Sequence, residues 1–121
     1  MTELDEDGYP TEELLEYVRT KDVKNHQERI DLLDYVLQFW YHGDYGWDKN
    51  FRETHKEYAN AVGKGITIYH VSTLGWSGNE DLIRALQDNF MFWAFAWYSS
   101  RRGGHYKFLI EHLTFKDDQP S

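Results

Sequence analysis

This 121-residue chain has no cysteine, little positive charge and no long apolar run, and each of these shortages excludes particular kinds of site or protein. It has no cysteine, which excludes disulfide bonds, iron–sulfur clusters and zinc sites built on thiolates. Its 13 Lys and Arg against 21 Asp and Glu leave a formal net charge of −8. Nonspecific binding to nucleic acid or to an anionic membrane needs a positive field and is therefore not expected. No apolar run approaches about 18 residues, so we expect no transmembrane helix.

The amino-terminal segment also lacks the features of a secretion signal. Residues 1–9 are acidic and contain no apolar stretch of the kind that a signal peptide needs. We therefore expect a soluble cytoplasmic protein whose first nine residues form a flexible acidic tail. Residues 10–115 are long enough for one domain with its own core, and residues 116–121 are expected to be a second tail.

Two amino-terminal helices are predicted by their capping residues and their apolar spacing. Thr11 is a suitable cap for the first helix, which we expect to end near Thr20. Asn25 and Glu28 form a variant of the capping box for the second helix. That helix is expected over 26–42, because apolar residues recur there at spacings of three and four.

Aromatic and β-branched residues predict a sheet in the second half of the chain. The predicted elements are strands at 66–73, 91–102 and 105–115 and a helix at 79–89 capped by Ser77. Residues 51–62 show neither the apolar spacing of a helix nor the alternation of a strand, and are expected to be irregular or an edge strand. The fold class is α+β: two N-terminal helices packed on a small mixed sheet, with one βαβ crossover and a C-terminal β-hairpin.

This topology brings two turns to one end of the sheet. If strands 66–73 and 91–102 run parallel, the Gly-Trp-Ser-Gly-Asn loop after the first and the Arg-Arg-Gly-Gly tip after the second share a rim. Arginine can capture a phosphate or carboxylate with two parallel hydrogen bonds, and tryptophan can stack on a base. The candidate binding residues are Trp76, Ser77, Asn79, Ser100, Arg101, Arg102, His105 and Tyr106.

Several of these residues also have a purely structural interpretation. Trp76 could close the end of the core, Ser77 could be fully used as a helix cap, and the two arginines could simply solubilise a turn. A two-residue turn at 103–104 would pair Arg102 with His105 and Arg101 with Tyr106.

The leading functional hypothesis is a non-enzymatic binding protein for a small anionic ligand, most simply a nucleotide. No nucleophile or acid–base pair is placed convincingly by spacing alone, which favours binding over catalysis. The six histidines show no metal-ligand spacing, so neither a metal nor another cofactor is expected.

Two short segments resemble the two-histidine phosphoesterase family, whose signature is a pair of H-x-[ST]-x motifs on strands. The motif begins here at His70 and again at His112. The resemblance implies that these histidines act as general acid and base and that the hydroxyls of Ser72 and Thr114 hold the phosphate. An enzyme of this kind is the first alternative hypothesis.

The segments STLGWSGNE at 72–80 and SRRGGHY at 100–106 together resemble a family of small bacteriophage proteins. That resemblance implies the cytoplasm of a host cell and no particular enzyme class.

The seven carboxylates within residues 1–20 suggest a further alternative, an acidic inhibitor that occupies a host protein. A large exposed aromatic face would indicate a homodimer.

Overall fold

The computed structural model describes residues 2–53 and 61–115, so the expected tail at 116–121 and residues 54–60 lie outside the described chain. The helices are α1 (Glu12–Thr20), α2 (His26–Leu37), α3 (Gly43–Gly46), α4 (Ser77–Asp88) and α5 (Phe90–Ala96). The strands are β1 (Trp47–Glu53), β2 (Ala61–Ser72), β3 (Trp97–Arg101) and β4 (His105–Phe115). The predicted α+β class is confirmed.

The two amino-terminal helices begin where their caps predict. The side chain of Thr11 accepts a hydrogen bond from the backbone N–H of Leu14, and that of Asn25 accepts one from Glu28. The second helix ends at Leu37 and not at residue 42. There the backbone changes to a turn, in which the N–H of Phe39 donates to Val36 and that of Trp40 to Leu37. The indole N–H of Trp40 also donates to the carbonyl of Ser72 at 2.9 Å, which attaches this turn to the sheet.

The first half of the predicted strand 91–102 is wrong, because residues 91–96 belong to the helix α5. Asn89 caps it by accepting from the N–H of Phe92, and its side-chain N–H group donates to the carbonyls of Val18 and Lys21 at 2.8 Å each. Phe92 and Ala96 are the buried residues of α5, and their spacing of four places them on one helical face. The aromatic residues of this segment favour a strand from sequence, but in the structure they belong to a helix.

All described strand pairs are antiparallel, in the order β1-β2-β4-β3. Because β4 pairs antiparallel with both β2 and β3, these two strands run in the same direction with β4 between them. The crossover through α4 and α5 therefore joins parallel strands that are not neighbours, and the expected mixed pairing does not occur. Residues 51–53 belong to the edge strand β1, one of the two expected alternatives.

The β3–β4 hairpin turns through three residues, Arg102 to Gly104, and not through two. Gly103 and Gly104 both adopt positive φ angles, of 89° and 78°, which glycine tolerates without strain. The longer turn shifts the register by one residue relative to the prediction, so that Arg101 pairs with His105.

The helices pack on one face of this sheet and create a single core. Tyr69, Val71, Phe108 and Ile110 lie buried on that face, in one cluster with apolar residues of α1, α2, α4 and α5. Successive residues of a strand point to opposite faces, so His70, Ser72, His105 and Lys107 point the other way. The second face is therefore the one on which polar side chains gather.

Residues 1–9 were expected to form a flexible tail, but the part of them that the structure describes, residues 2–9, forms a turn together with Pro10. Leu4 and Pro10 make a β-bridge, and the carboxylate of Asp5 accepts hydrogen bonds from the N–H groups of Asp7 and Tyr9 at 2.9 Å each. The ring of Tyr9 then stacks on Trp76.

Candidate functional site

A cleft of about 690 Å³ lies at the end of the sheet where β2 and β3 finish. Its wall is formed by the polar face of β2, β3 and β4 and by the short helix α3. The chain just after β2 meets the β3–β4 turn here, because the N–H of Thr73 donates to the carbonyl of Gly104 at 2.9 Å. The Gly-Trp-Ser-Gly-Asn loop itself does not line the cleft. Leu74, held at a φ of 57°, continues the rim.

The strand register fixes which side chains are neighbours in the cleft. On β2 and β4, His70 pairs with Lys107 and Ser72 pairs with His105. On β3 and β4, Arg101 pairs with His105. Directly paired residues of antiparallel strands have Cβ atoms roughly 5 Å apart, so these groups form one continuous polar surface.

The basic side chains of this surface form no ion pair with a carboxylate among the described residues. Arg101, His70 and His105 form no ion pair or hydrogen bond through their side chains, and Lys107 only lies over the ring of Tyr98 at 4.9 Å. Elsewhere in the described chain, several cationic side chains form ion pairs. Those with carboxylate partners are Arg19, Lys24, Lys49 and Arg84.

Carboxylates and an aromatic ring occupy the opposite side of the cleft. Asp48 of β1 pairs with His70, and Asp44 of α3 also lines the cleft. Tyr45 stands beside them with 79% of its surface exposed. The cleft thus has a cationic side, formed by β3 and β4, and an acidic and aromatic side, formed by α3 and β1.

Four of the eight sequence-predicted site residues line the cleft and four do not. Ser100, Arg101, His105 and Tyr106 line the cleft. Arg102 lies exposed in the turn and is not part of the lining.

Trp76, Ser77 and Asn79 lie outside the cleft. The Trp76 ring is stacked between Tyr9 and Tyr41, with centroids 4.7 and 4.6 Å away. Ser77 is the first residue of α4, and no side chain caps that helix, so the predicted capping box is wrong.

Asn79 is fully buried and has three hydrogen bonds. Its oxygen accepts from the N–H of Tyr41 at 2.9 Å, and its amide N–H groups donate to the carbonyls of Tyr41 and Thr73. These bonds hold the turn after β2 against the end of α2, so Asn79 supports the rim without reaching the cleft.

The two histidines of the phosphoesterase motifs are separated by the register. His70 pairs with Lys107, whereas His112 pairs with Gly65, five residues further along β2. Five residues of strand span roughly 17 Å. Thr114 pairs with Gly63, further still from Ser72.

Sequence reasoning did not include Lys107, Asp48 and Tyr45 in the site. The alternation of His105 and Lys107 on β4 was a usable signal for Lys107, because residues two apart share a face. Asp48 and Tyr45 carried no such signal, because the turn-forming residues of 43–50 indicate only a loop from sequence.

Among the side chains that the structure describes, no three from His, Asp or Glu lie close enough together to hold a metal ion. None of the helices in the described chain is long and apolar enough to cross a membrane. No family model, curated protein or solved structure matches the chain.

Proposed function

We propose that the protein binds a small phosphate-bearing ligand, most simply a nucleotide, in the cleft at the end of the sheet. The observation that carries this proposal is a basic surface in a chain of net charge −8: Arg101 and Lys107 form no ion pair there, and His70 and His105 lie beside them in the strand register. Positive side chains that lack carboxylate partners are available to an anion.

The opposite side of the cleft suits the rest of a nucleotide. Tyr45 presents an exposed ring on which a base can stack. The carboxylates of Asp44 and Asp48 can accept hydrogen bonds from sugar hydroxyls, as acidic residues do in dinucleotide sites. A cytoplasmic setting, where nucleotides are abundant, belongs to the same proposal.

A matched pair of arginine variants tests the proposal. Arg101 and Arg102 are adjacent, exposed and equally charged, but only Arg101 lines the cleft. We expect adenosine monophosphate to raise the melting temperature of the wild type and of Arg102→Gln, and to raise that of Arg101→Gln much less. Loss of a charge-assisted bidentate contact corresponds to about a tenfold to hundredfold weaker Kd.

Two results would contradict nucleotide binding here. One is equal loss of affinity in both variants, which would indicate a diffuse field and not a site. The other is the absence of any shift with mono-, di- and triphosphates at millimolar concentration, measured by thermal shift and by calorimetry.

A further inference from the structure

The strand β4 is paired along its whole length on one side and only along its first part on the other. β2 pairs with β4 from His105 to Phe115, whereas β3 pairs with it only from His105 to Phe108. In the described chain, no strand pairs with this second edge of β4 over residues 109–115. Alternate residues there direct backbone N–H and C=O groups away from β2, so the segment is an open edge of the kind that accepts a further strand.

A groove of about 470 Å³ lies beside this open edge. Leu109 and Glu111, which line it, point to the polar face of the sheet, because Ile110 between them is buried in the core. Arg29, which also lines the groove, belongs to α2 on the helix-covered face. A cavity confined to one face would not combine these residues. The groove is therefore a slot along the sheet edge, in which an added strand would continue the line of β3.

Arg29 brings a positive charge without a hydrogen-bonding partner to this groove. Its Nε atom is buried and has no hydrogen-bond partner, and its guanidinium forms no ion pair in the described chain. The guanidinium lies over the ring of Phe95, at 5.1 Å from its centroid. Burial lowers the pKa of Arg29, and the charge of Glu28 offsets this effect only in part. A buried N–H group without an acceptor is costly, and a carboxylate that enters the groove would supply the acceptor.

We propose that the protein binds an extended peptide segment in this groove, as a strand added to the free edge of β4, with an acidic side chain beside Arg29. The groove shares no lining residue with the cleft, so this site goes beyond the proposed nucleotide binding. Backbone hydrogen bonds to residues 109–115 provide affinity in this mode of recognition, and side-chain contacts select the sequence. The exposed rings of Phe95, Trp97 and Tyr98 offer apolar contact to the same segment.

The charges on the two faces of the sheet define the peptide sequence that fits. Adjacent residues of a strand point to opposite faces, so the neighbour of a residue beside Arg29 faces Leu109 and Glu111. Glu111 is exposed and forms no ion pair in the described chain. A lysine is therefore favoured next to the acidic residue, whereas a second carboxylate there is disfavoured.

The test uses the full-length protein and two hexapeptides of equal composition, acetylated and amidated at their ends. Their sequences are Thr-Val-Glu-Lys-Val-Thr and Thr-Glu-Val-Lys-Val-Thr. In a strand, the first places its two charges on opposite faces and the second places them on one face. We expect calorimetry to show that the first binds about tenfold more tightly, because only the first can satisfy Arg29 and Glu111 together.

A matched pair of arginine variants tests the role of Arg29. Arg29→Gln should weaken binding of the first peptide by about tenfold or more, because it removes the charge that faces the peptide carboxylate. Arg84→Gln is the control, since Arg84 is exposed on α4, pairs with Asp81 and lies outside the groove. It should bind the peptide as the wild type does.

Methylation of the peptide backbone tests strand addition with the unaltered protein. A strand directs alternate N–H groups to its neighbour. Methylating the N–H groups of one alternate set should therefore abolish binding of the first peptide, and methylating the other set should preserve it.

Equal binding of the two methylated peptides, or equal binding of the two hexapeptides, would overturn the proposal, as would the absence of binding at millimolar concentration. A dimer in sedimentation whose formation protects the amides of residues 109–111 from hydrogen exchange would show that a second copy of the chain occupies this edge, and the peptide proposal would be wrong. None of these results bears on the nucleotide cleft, since its lining is separate.

Discussion

At the scale of single residues, several side chains expected to meet a ligand hold the fold together. Asn79 is the clearest example, because an asparagine in a Gly-rich loop is a plausible hydrogen-bond donor to a ligand from sequence alone. Its burial and its three backbone partners belong to long-range contacts with Tyr41, which local spacing does not encode.

We expect Asn79→Ala to lower the free energy of unfolding by about 2–3 kcal/mol, because it leaves the backbone groups of Tyr41 without partners in a buried site. Asn50→Ala is the matched control, since Asn50 is exposed on the edge strand and should change stability by less than about 0.5 kcal/mol. Urea denaturation measures both. Equal effects of the two substitutions would contradict a structural role for Asn79.

Tyr69 is a second residue whose role is set by packing. Burial, and then the hydrogen bond that its hydroxyl donates to Asp34 at 2.7 Å, raise the pKa of Tyr69 well above its ordinary value of 10.0. Above about pH 10, an unfolded tyrosine loses a proton that folded Tyr69 keeps. Its contribution to stability is therefore complete below pH 10 and decreases as the pH rises further.

We expect stability to fall with pH between 10 and 11 more steeply in the wild type than in Tyr69→Phe, by up to about 1.4 kcal/mol per pH unit. At pH 7 the same substitution should cost about 1–3 kcal/mol through the lost hydrogen bond to a carboxylate. Tyr98→Phe, which alters an exposed tyrosine, should leave the alkaline slope unchanged. Parallel slopes in Tyr69→Phe and the wild type would refute the assignment.

At the scale of elements, the β3–β4 turn determines which residues enter the cleft. A Cβ atom on Gly104 would lie 2.1 Å from the hydroxyl oxygen of Thr73, and Thr73 is itself buried. The close approach of these two backbones is what positions Arg101 and His105 beside Ser72.

We expect Gly104→Ala to destabilise the protein by at least about 1 kcal/mol more than Gly75→Ala and to abolish nucleotide binding. Both glycines have φ values near 75°, so both substitutions carry the same left-handed strain of about 1–2 kcal/mol. Only Gly104 also meets Thr73, since no atom lies within 4 Å of a Cβ on Gly75. Equal melting temperatures for the two variants would contradict the contact.

The elements that local signals specify were predictable, and those that tertiary contacts specify were not. Thr11 and Asn25 marked helix starts through their own hydrogen bonds, and β-branched residues marked the end of β2. The helix α5 was missed because its aromatic residues favour strands, while Asn89, bonded to α1, starts a helix instead.

The candidate site was only half predictable for the same physical reason. Arg101 and His105 belong to one local hairpin, so the sequence motif around two glycines pointed to them. His70 and Lys107 meet only because β2 pairs with β4 at a sequence separation of 37 positions, a pairing that no local pattern predicts. The one-residue error in register arose because a three-residue turn replaced the expected two-residue turn.

At the scale of the whole molecule, one core joins the amino-terminal helices to the sheet. Leu14 and Val18 of α1 lie in the same buried cluster as Leu82 and Leu86 of α4. Asn89 reinforces this contact through the carbonyl groups at the end of α1.

We expect the chain to unfold in one cooperative transition, with urea midpoints that coincide for tryptophan fluorescence and for far-ultraviolet circular dichroism. Asn89→Ala should lower that common midpoint without splitting it. The substitution removes the hydrogen bonds from Asn89 to the end of α1, while the shared apolar core remains. Two separate midpoints in either protein would show that the helices and the sheet are independent units.

Because Tyr9 stacks on Trp76, the fluorescence of Trp76 depends on the position of the amino terminus. An indole covered on both faces by phenol rings emits in a different environment from one left open to water on one side. Proteolytic removal of the first nine residues would uncover one face of that indole. The amino-terminal turn is remote from Trp76 in sequence but in van der Waals contact with it. A label or fusion partner attached at the amino terminus would therefore report on this contact and would also disturb it.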